Sequence, residues 1–332
     1  MRIKLLLLLV CLHFYPALAQ CGEECCCPDG QPESHAPIGV MGDHLHKEGG
    51  WMASYRFRTM GMSGSLQGTS DVSDQQILKN FMVTPTKMTM SGHMLGLMYA
   101  PTDDATIMVM VPYMNKSMEH LTRRGIRFTT NSSGVGDIKV TGLINLWSNE
   151  KHRLHLNAGI ALPTGSIDAR DTTPMGPDSV LPYPMQLGSG TLDLMPGLTY
   201  TGQNEDWSWG AQAIGTIRTG KNKRGYSLGN VGDFSVWGAK KWNNNVSTSL
   251  RLNALTWGDV SGQDSRLNPM AIPTAVAGQR AGNRFDLLLG INGDFGNGHR
   301  LAIEGGLPLH QSVDGFQLKT DYVLTAGWQL SW

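Results

Sequence analysis

Methionine is the residue type whose number and spacing most strongly suggest chemistry. The sequence contains 18 methionines in 332 residues, most of them before residue 120. Between residues 52 and 118 many recur at alternate positions, which would place them on one face of successive β-strands. Thioether sulfur is a soft ligand that favours Cu(I) and similar ions. The candidate ligands are Met52, Met60, Met88, Met90, Met94, Met98, Met108, Met110 and Met114.

The same methionines have a second interpretation, which is packing. The side chain is flexible and unbranched, so it fills irregular apolar spaces well. A water-filled lumen lined with thioethers would favour passage of soft ions, whereas a plugged lumen would use them as filling. In the strand near 86–100 the opposite face carries Ser91 and His93. If that face pointed inward, the methionines of this strand would face lipid instead.

A second soft-ligand cluster lies near the amino terminus. Thiolate and imidazole together suit Cu(I) or Zn(II), although the spacing matches no standard zinc motif. Local disulfides in an irregular tail are the alternative. The cluster comprises Cys21, Cys25, Cys26, Cys27, His35, His44 and His46.

The first 50 residues predict two segments ahead of the main fold. Residues 1–19 combine a basic start, a short apolar run and an Ala-Leu-Ala ending, which is typical of a cleavable secretory signal peptide. The mature protein would then begin at Gln20. Residues 20–50 are rich in proline and glycine in their later part, so we expect an irregular periplasmic tail or a plug.

From Trp51 onward the dominant pattern is alternation with a period of two. Apolar residues alternate with polar, charged or glycine residues, as in the lipid-facing and lumen-facing positions of an outer-membrane barrel. After the signal no apolar run approaches the roughly 20 residues of a membrane-spanning helix. We predict an all-β fold, a transmembrane antiparallel up-and-down β-barrel over 51–332. About twelve strands are expected, near 51–60, 86–100, 105–119, 135–148, 152–163, 191–203, 206–219, 231–242, 245–258, 283–295, 299–309 and 317–332.

The connections alternate between short and long. Tight turns rich in Asn, Asp and Gly alternate with long connections at 61–85, 120–134, 164–190, 220–230, 259–282 and 310–316. In outer-membrane barrels the short turns are periplasmic. An even strand count would therefore leave both termini in the periplasm.

The last strand ends in an aromatic residue. Tyr322, Leu324, Trp328 and Trp332 share one face, and such an ending resembles the signal recognised by the barrel-insertion machinery. The expected partners are therefore outer-membrane lipid, that machinery and a small solute, in the outer membrane of a Gram-negative bacterium.

Charge and catalytic motifs exclude other classes of function. The 27 basic and 27 acidic residues balance, so nothing predicts nucleic-acid binding. Ser91 and His93 lack an orienting third group, and we expect no enzyme and no cofactor, with a copper ion only as cargo. The charges predicted to face the lumen are Arg56, Arg58, Asp137, Lys139, Arg153, Asp193, Arg218, Asp233, Arg251, Arg284, Asp286, Arg300, Glu304, Lys319 and Asp321.

Two short motifs resemble a known family. Gly134-Val135-Gly136-Asp137 and, two strands later, Leu162-Pro163-Thr164-Gly165-Ser166 look like the signature of outer-membrane β-barrel proteins named for the meta-pathway of phenol degradation. That resemblance implies a barrel with a transport role. The segment from His35 to Lys47 resembles a branch associated with copper handling.

Together these features predict an outer-membrane transporter that passes or binds a small solute. Soft metal ions such as copper or silver are the first candidate cargo, and small hydrophobic or aromatic compounds the second. A plugged structural barrel without transport is the alternative.

Overall fold

The computed structural model describes residues 36–332. The predicted signal peptide therefore lies outside the described residues. Across the described part there are seventeen β-strands, one α-helix and three 3-10 helices. The strands are β1 (Trp51–Gly68), β2 (Ser70–Val72), β3 (Val83–Thr102), β4 (Ala105–Thr122), β5 (Arg127–Val135), β6 (Ile138–Ser148), β7 (His152–Leu162), β8 (Arg170–Thr173), β9 (Gly176–Val180), β10 (Asp193–Gln203), β11 (Trp207–Arg218), β12 (Tyr226–Ser227), β13 (Val231–Lys241), β14 (Val246–Trp257), β15 (Ser261–Gly262), β16 (Gly282–Asp294) and β17 (His299–Ser331).

The long strands form a closed antiparallel barrel. Their order is β1, β3, β4, β6, β7, β10, β11, β13, β14, β16 and β17, and β17 pairs with β1 to complete the ring. Trp51 and Trp332 exchange two backbone hydrogen bonds of 2.9 and 3.0 Å at this seam. The terminal residue therefore helps to close the barrel, which leaves no unpaired edge there.

Counted as elements, the ring has eleven strands where the sequence predicted about twelve. The difference lies in β17, a single element of 33 residues. Its first part pairs with β16 and its second part with β1. The ends of the element lie side by side, because the Ser331 N–H donates to the Gly298 carbonyl at 3.0 Å. A positive φ of 63° at Gly315 occurs between the two parts.

The predicted alternation between lipid-facing and inward-facing residues is confirmed. Large apolar side chains such as Leu95, Leu289 and Leu307 are more than 60% exposed on the outer face. The inner face of β3 is fixed by its pairing with β1, in which Met98 lies opposite Met52 and Met94 opposite Arg56. The methionines of β3 therefore point inward. No helix of residues 36–332 is long and apolar enough to cross a membrane.

Two long connections contain more regular structure than predicted. Within 61–85, β1 runs on to Gly68 and is followed by β2 and by the helix α1 (Asp74–Asn80), which Ser73 caps through a reciprocal bond with Gln76. Within 120–134, β4 reaches Thr122 and most of the remainder is β5. The expected loops were wrong here because these parts of the strands lack the apolar alternation used to identify them.

The barrel has a short-turn end and a long-loop end. The short-turn end carries the tight connections, including those between β3 and β4 and between β6 and β7, and the long-loop end carries the long connections. At the long-loop end β5 pairs with β4 alone. Residues 163–192 pack beside β5, where the Asn131 N–H donates to the Asp171 carboxylate at 2.7 Å. A loop thus completes the wall at this point.

Candidate functional site: the barrel lumen

Residues 36–50, the inserted segment, lie inside the barrel at its short-turn end. They form turns and extended chain without a helix or strand, as their composition predicted. Ile38 and Val40 are 1% and 3% exposed, although they precede the first strand. The segment returns to the rim at Gly49, whose N–H donates to the Ala100 carbonyl at 2.9 Å.

The innermost turn of the inserted segment is held by lumen side chains. The Gly42 carbonyl accepts hydrogen bonds from His155 Nε2 and Asn157 Nδ2, both at 2.9 Å. Gln212 Nε2 donates to the Met41 carbonyl at 2.9 Å. Gly42 has a φ of 63° and lies against Asn157 and Leu143, so a larger residue would be both strained and crowded. Two strands, β7 and β11, thus hold one turn.

The first residues of the inserted segment contact charged side chains on the opposite wall of the barrel. Arg300 Nη2 donates to the Ala36 carbonyl at 2.8 Å, and the Ala36 N–H donates to Asp43 at 2.9 Å. Arg251 and Glu304 form a bidentate pair at 2.8 and 2.7 Å directly beside Gly39. The segment therefore contacts polar groups around the inner circumference.

The inserted segment packs against an apolar cluster of the wall, the lower methionine cluster. It consists of Met52, Met98, Met108, Met110, Leu45 and Leu143, with Met41 and Met94 packed against it. Leu45 and Met41 belong to the inserted segment, and the others belong to the wall. Four of the predicted metal ligands therefore pack against an element of the chain itself, which is the packing use of methionine.

A cavity of about 530 Å³ lies beneath the segment at the short-turn end, bordered by His44, His46, Arg153 and Trp237. The imidazoles of His44 and His46 meet edge to face with centroids 4.8 Å apart. Burial, together with the neighbouring His44, lowers the pKa of His46 to about 3. His46 is therefore neutral while the segment is inserted.

Residues 163–192, the lid loop, are anchored by the motif that suggested the family. The two carboxylate oxygens of Asp137 accept the N–H groups of Gly165 at 2.9 Å and Ser189 at 2.7 Å. These two residues stand near opposite ends of the loop. A Cβ on Gly165 would come within 2.7 Å of the Gly188 Cα, so the two ends approach closely only because both residues are glycine.

The lid loop packs against a second apolar cluster, the upper methionine cluster. It consists of Met88, Met118, Leu181 and Met185, with Met62, Met90, Ala169 and Leu318 packed against it. Leu181 and Met185 come from the loop. Lys116 Nζ donates to the carbonyls of Pro184 and Gln186 at 2.9 and 2.5 Å. Its ammonium group therefore holds the loop inside the barrel mouth.

Above the lid, three long loops are joined by ion pairs. Asp168 contacts Lys223, Arg224 and Arg266 at 3.0, 2.7 and 2.8 Å. The hydrogen bond from Arg224 does most to hold the pKa of Asp168 below its usual range, since the remaining basic groups add less. Tyr183 of the lid packs beneath this group in an apolar cluster with Tyr226, Val260 and Leu267.

Between the two methionine clusters the lumen contains open space. The strand pairing places Arg58 and Asp233 at inward-facing positions of the barrel wall. Both residues are nevertheless exposed. They lie within electrostatic range of each other. Lys139 also lies within range of both. These three groups border one chamber.

The remaining predicted ligands are distributed as follows. Met60 Sδ accepts a hydrogen bond from Arg284 Nη1 at 3.4 Å, and Met114 lies over Gly92. The structure brings no three His, Cys, Asp or Glu residues of 36–332 together as a metal-binding group. Cys21, Cys25, Cys26, Cys27 and His35 lie outside the described residues.

Two groups predicted to face the lumen do not. Lys319 Nζ contacts Asp71 at 3.2 Å and Asp321 accepts from Ser63 at 2.6 Å, both at exposed positions. The pairing of β1 with β17 shifts between Gly61 and Met62, and such a shift reverses the face on which later residues lie. Their prediction as lumen charges was wrong for that reason.

The pair considered for catalysis lies on the outer face. His93 Nδ1 is 2.8 Å from the Tyr55 hydroxyl. Ser91 and His93 both lie on the face opposite the inward methionines of β3.

Comparison with solved structures finds the same fold in one outer-membrane channel and weaker similarity to other outer-membrane proteins. An outer-membrane channel from Pseudomonas putida F1 is 16% identical and has a TM-score of 0.65, with 87% of this chain and 97% of that chain covered. The transport unit of the autotransporter AIDA-I from Escherichia coli is 11% identical with a TM-score of 0.47, covering 87% and 92%. A mutant of the monoaromatic hydrocarbon channel TodX is 12% identical with a TM-score of 0.44, covering 86% and 90%.

Sequence comparison gives the family. No curated protein matches the chain. One family model matches residues 99–271, which is more than half of the chain and includes both motifs around Asp137 and Gly165. The protein is a closed antiparallel β-barrel, and it belongs to the family described as "Putative MetA-pathway of phenol degradation".

Proposed function

We propose that this protein is a gated outer-membrane conduit for a small organic solute, closed by the inserted segment at one end and by the lid loop at the other. The observation that carries the proposal is the position of residues 36–50. Their carbonyl groups are bound by His155, Asn157, Gln212 and Arg300 inside the barrel. A segment held by side-chain bonds, without strand pairing, can leave the lumen while the wall stays intact.

The orientation follows from the connections. We count the two parts of β17 as separate crossings, which gives twelve crossings and both termini at the short-turn end. Short turns are periplasmic in such barrels. The inserted segment would then close the periplasmic side as a plug, and the lid loop would close the outer side.

The cargo favoured by the lumen is an organic molecule. The chamber between the clusters offers thioether surface together with charged groups, which suits a solute with both an apolar and a polar part. The sulfurs of Met52 and Met60, both on β1, already accept hydrogen bonds from Gln329 and Arg284. Passage of soft metal ions stays a prediction for the methionines that point inward.

Single-channel recording on the mature protein tests the proposed conduit. We expect brief openings for the wild type and sustained conductance after deletion of residues 36–46, which keeps the rim contacts of Gly49. Circular dichroism of the refolded variant verifies that the strands are retained. A folded barrel that remains silent without these residues would contradict the proposal.

The two cargo classes are separated by a direct comparison. Copper and silver tolerance of a deletion strain, together with ion binding by the purified protein, tests the metal cargo. Unchanged tolerance without binding would eliminate it, and uptake of small aromatic compounds by the same strain tests the organic cargo.

A further inference from the structure

The chamber between the two methionine clusters contains cationic side chains that form no ion pair within the described part of the chain. Within residues 36–332 the side chains of Arg58 and Lys139 make no hydrogen bond and no ion pair. Two other lumen cations are paired, Arg251 with Glu304 at 2.7 Å and Arg284 with Asp286 at 2.9 Å. Arg58 and Lys139 therefore present unused N–H donors to the open space.

A third cation lies next to them. Arg56 precedes Arg58 by one step on the same inner face, is 5% exposed, and its Nε has no hydrogen-bond partner in the described part of the chain. A buried guanidinium with an unused donor is costly unless an acceptor reaches it. The acceptor best suited to guanidinium and ammonium donors is a carboxylate or a similar anion.

The acidic groups nearby limit the charge that the chamber would accept. The carboxylate of Asp137 is already occupied by the backbone N–H groups of Gly165 and Ser189. Asp233 accepts from Asn253 and still faces the chamber. Its negative charge lies within range of Arg58 and Lys139, so it would repel a second negative charge on a ligand. A monoanion is favoured over a dianion.

The wall beside Arg58 is apolar. Gly92 pairs with Arg58 on one side and with Met114 on the other. The Met114 sulfur lies 2.9 Å from the place that a Cβ on Gly92 would occupy, so its thioether covers the strand next to the guanidinium. Met90 and Met94 are half-buried on the same inner face. An apolar body would contact these thioethers while its charged end meets the cations.

We propose that this chamber binds a small organic monoanion with an apolar body, its carboxylate on Arg58 and Lys139 and its body against Met90, Met94 and Met114. This site rests on the proposed conduit, because the ligand reaches the chamber only when one closure opens. It names the substrate class for that conduit.

Binding to the purified full-length protein tests the site with four probes of one shape. Benzoate carries one negative charge, benzyl alcohol none, benzylamine a positive charge and phthalate two negative charges. We expect benzoate to bind at least tenfold more tightly than the other three. Arg58→Gln and Lys139→Gln should each weaken benzoate binding about tenfold and leave benzyl alcohol unchanged, while Arg58→Lys should retain most of the affinity.

Lys151→Gln is the matched control, since it removes the same charge at an exposed position of the short turn between β6 and β7. Equal binding of benzoate and benzyl alcohol, or unchanged benzoate affinity in Arg58→Gln, would overturn the inference. Potassium chloride conductance of the same preparations reports the conduit separately. A protein that conducts but does not distinguish benzoate would contradict the site and leave the conduit standing.

Discussion

The two methionine clusters are built from the same residue type but are occupied by elements that are held in different ways. The lower cluster receives Leu45 of the inserted segment, and the upper cluster receives Leu181 and Met185 of the lid loop. The inserted segment is fixed by buried groups such as Asn157 and Gln212. The lid loop depends in addition on ion pairs of Asp168, which is partly exposed.

The difference indicates that the upper closure is the more sensitive of the two to ionic strength. Buried hydrogen bonds cost more to break than exposed ion pairs, which water and salt weaken. Because thioether side chains are flexible, an apolar residue can leave either methionine cluster without leaving a rigid cavity behind. We therefore expect salt to loosen the lid loop before it loosens the inserted segment.

The largest expected effect comes from loosening the lower closure. Asn157→Ala combined with Gln212→Ala removes donors to the carbonyls of Gly42 and Met41, and each bond is worth about 1 kcal/mol or more. We expect the open fraction in single-channel recordings to rise about tenfold to a hundredfold. Gln311→Ala is the matched control, because this amide bonds to Thr320 away from the segment. An equal rise in the control would contradict the assignment.

Loosening the upper closure should have a smaller effect. Asp137→Asn leaves one carbonyl oxygen where two carboxylate oxygens bind Gly165 and Ser189, so we expect the lid loop to open about tenfold more often. Tryptic cleavage after Arg170 should accelerate accordingly. Asp294→Asn, in a short turn, is the control. Unchanged cleavage would show that Asp137 does not anchor the loop.

Acidification should open the lower closure selectively. The pKa of His46 is about 3 when buried, against an ordinary value of 6.5. Below 6.5 a withdrawn segment takes up a proton that the inserted one does not, so the closed state loses stability as pH falls and is unaffected above that value. Between pH 6 and 5 we expect up to about a tenfold rise in open fraction. His46→Gln should remove this dependence, and a dependence that persists in this variant would contradict the role of His46.

The smallest expected effect concerns the ion pairs above the lid. Asp168→Asn should raise the tryptic cleavage rate only about twofold to threefold at low salt, because exposed pairs contribute little. The difference from the wild type should vanish at high ionic strength. A large effect that persists in salt would show that the upper closure is held as firmly as the lower one.

The sequence predicted what depends on local alternation and missed what depends on distant packing. The inward positions of Met52, Met98 and Met108 followed from parity. Parity could not predict that Leu45 would pack against these methionines, because the contact joins segments far apart in the chain. Asp137 was predicted as a lumen charge, whereas its role at both ends of the lid loop depends on Gly165 and Gly188, whose approach no local pattern encodes.

A reversible lock between the inserted segment and the wall tests the central claim most directly. A Cβ on Gly327 would lie 2.9 Å from Ile38 Cγ1, so Ile38→Cys with Gly327→Cys can form a disulfide. The four cysteines at 21, 25, 26 and 27 are replaced by serine, and Ile38→Cys alone is the control. We predict that the oxidised protein is silent in single-channel recordings and conducts after reduction. Undiminished conductance of the oxidised protein would contradict the claim that residues 36–50 close the barrel.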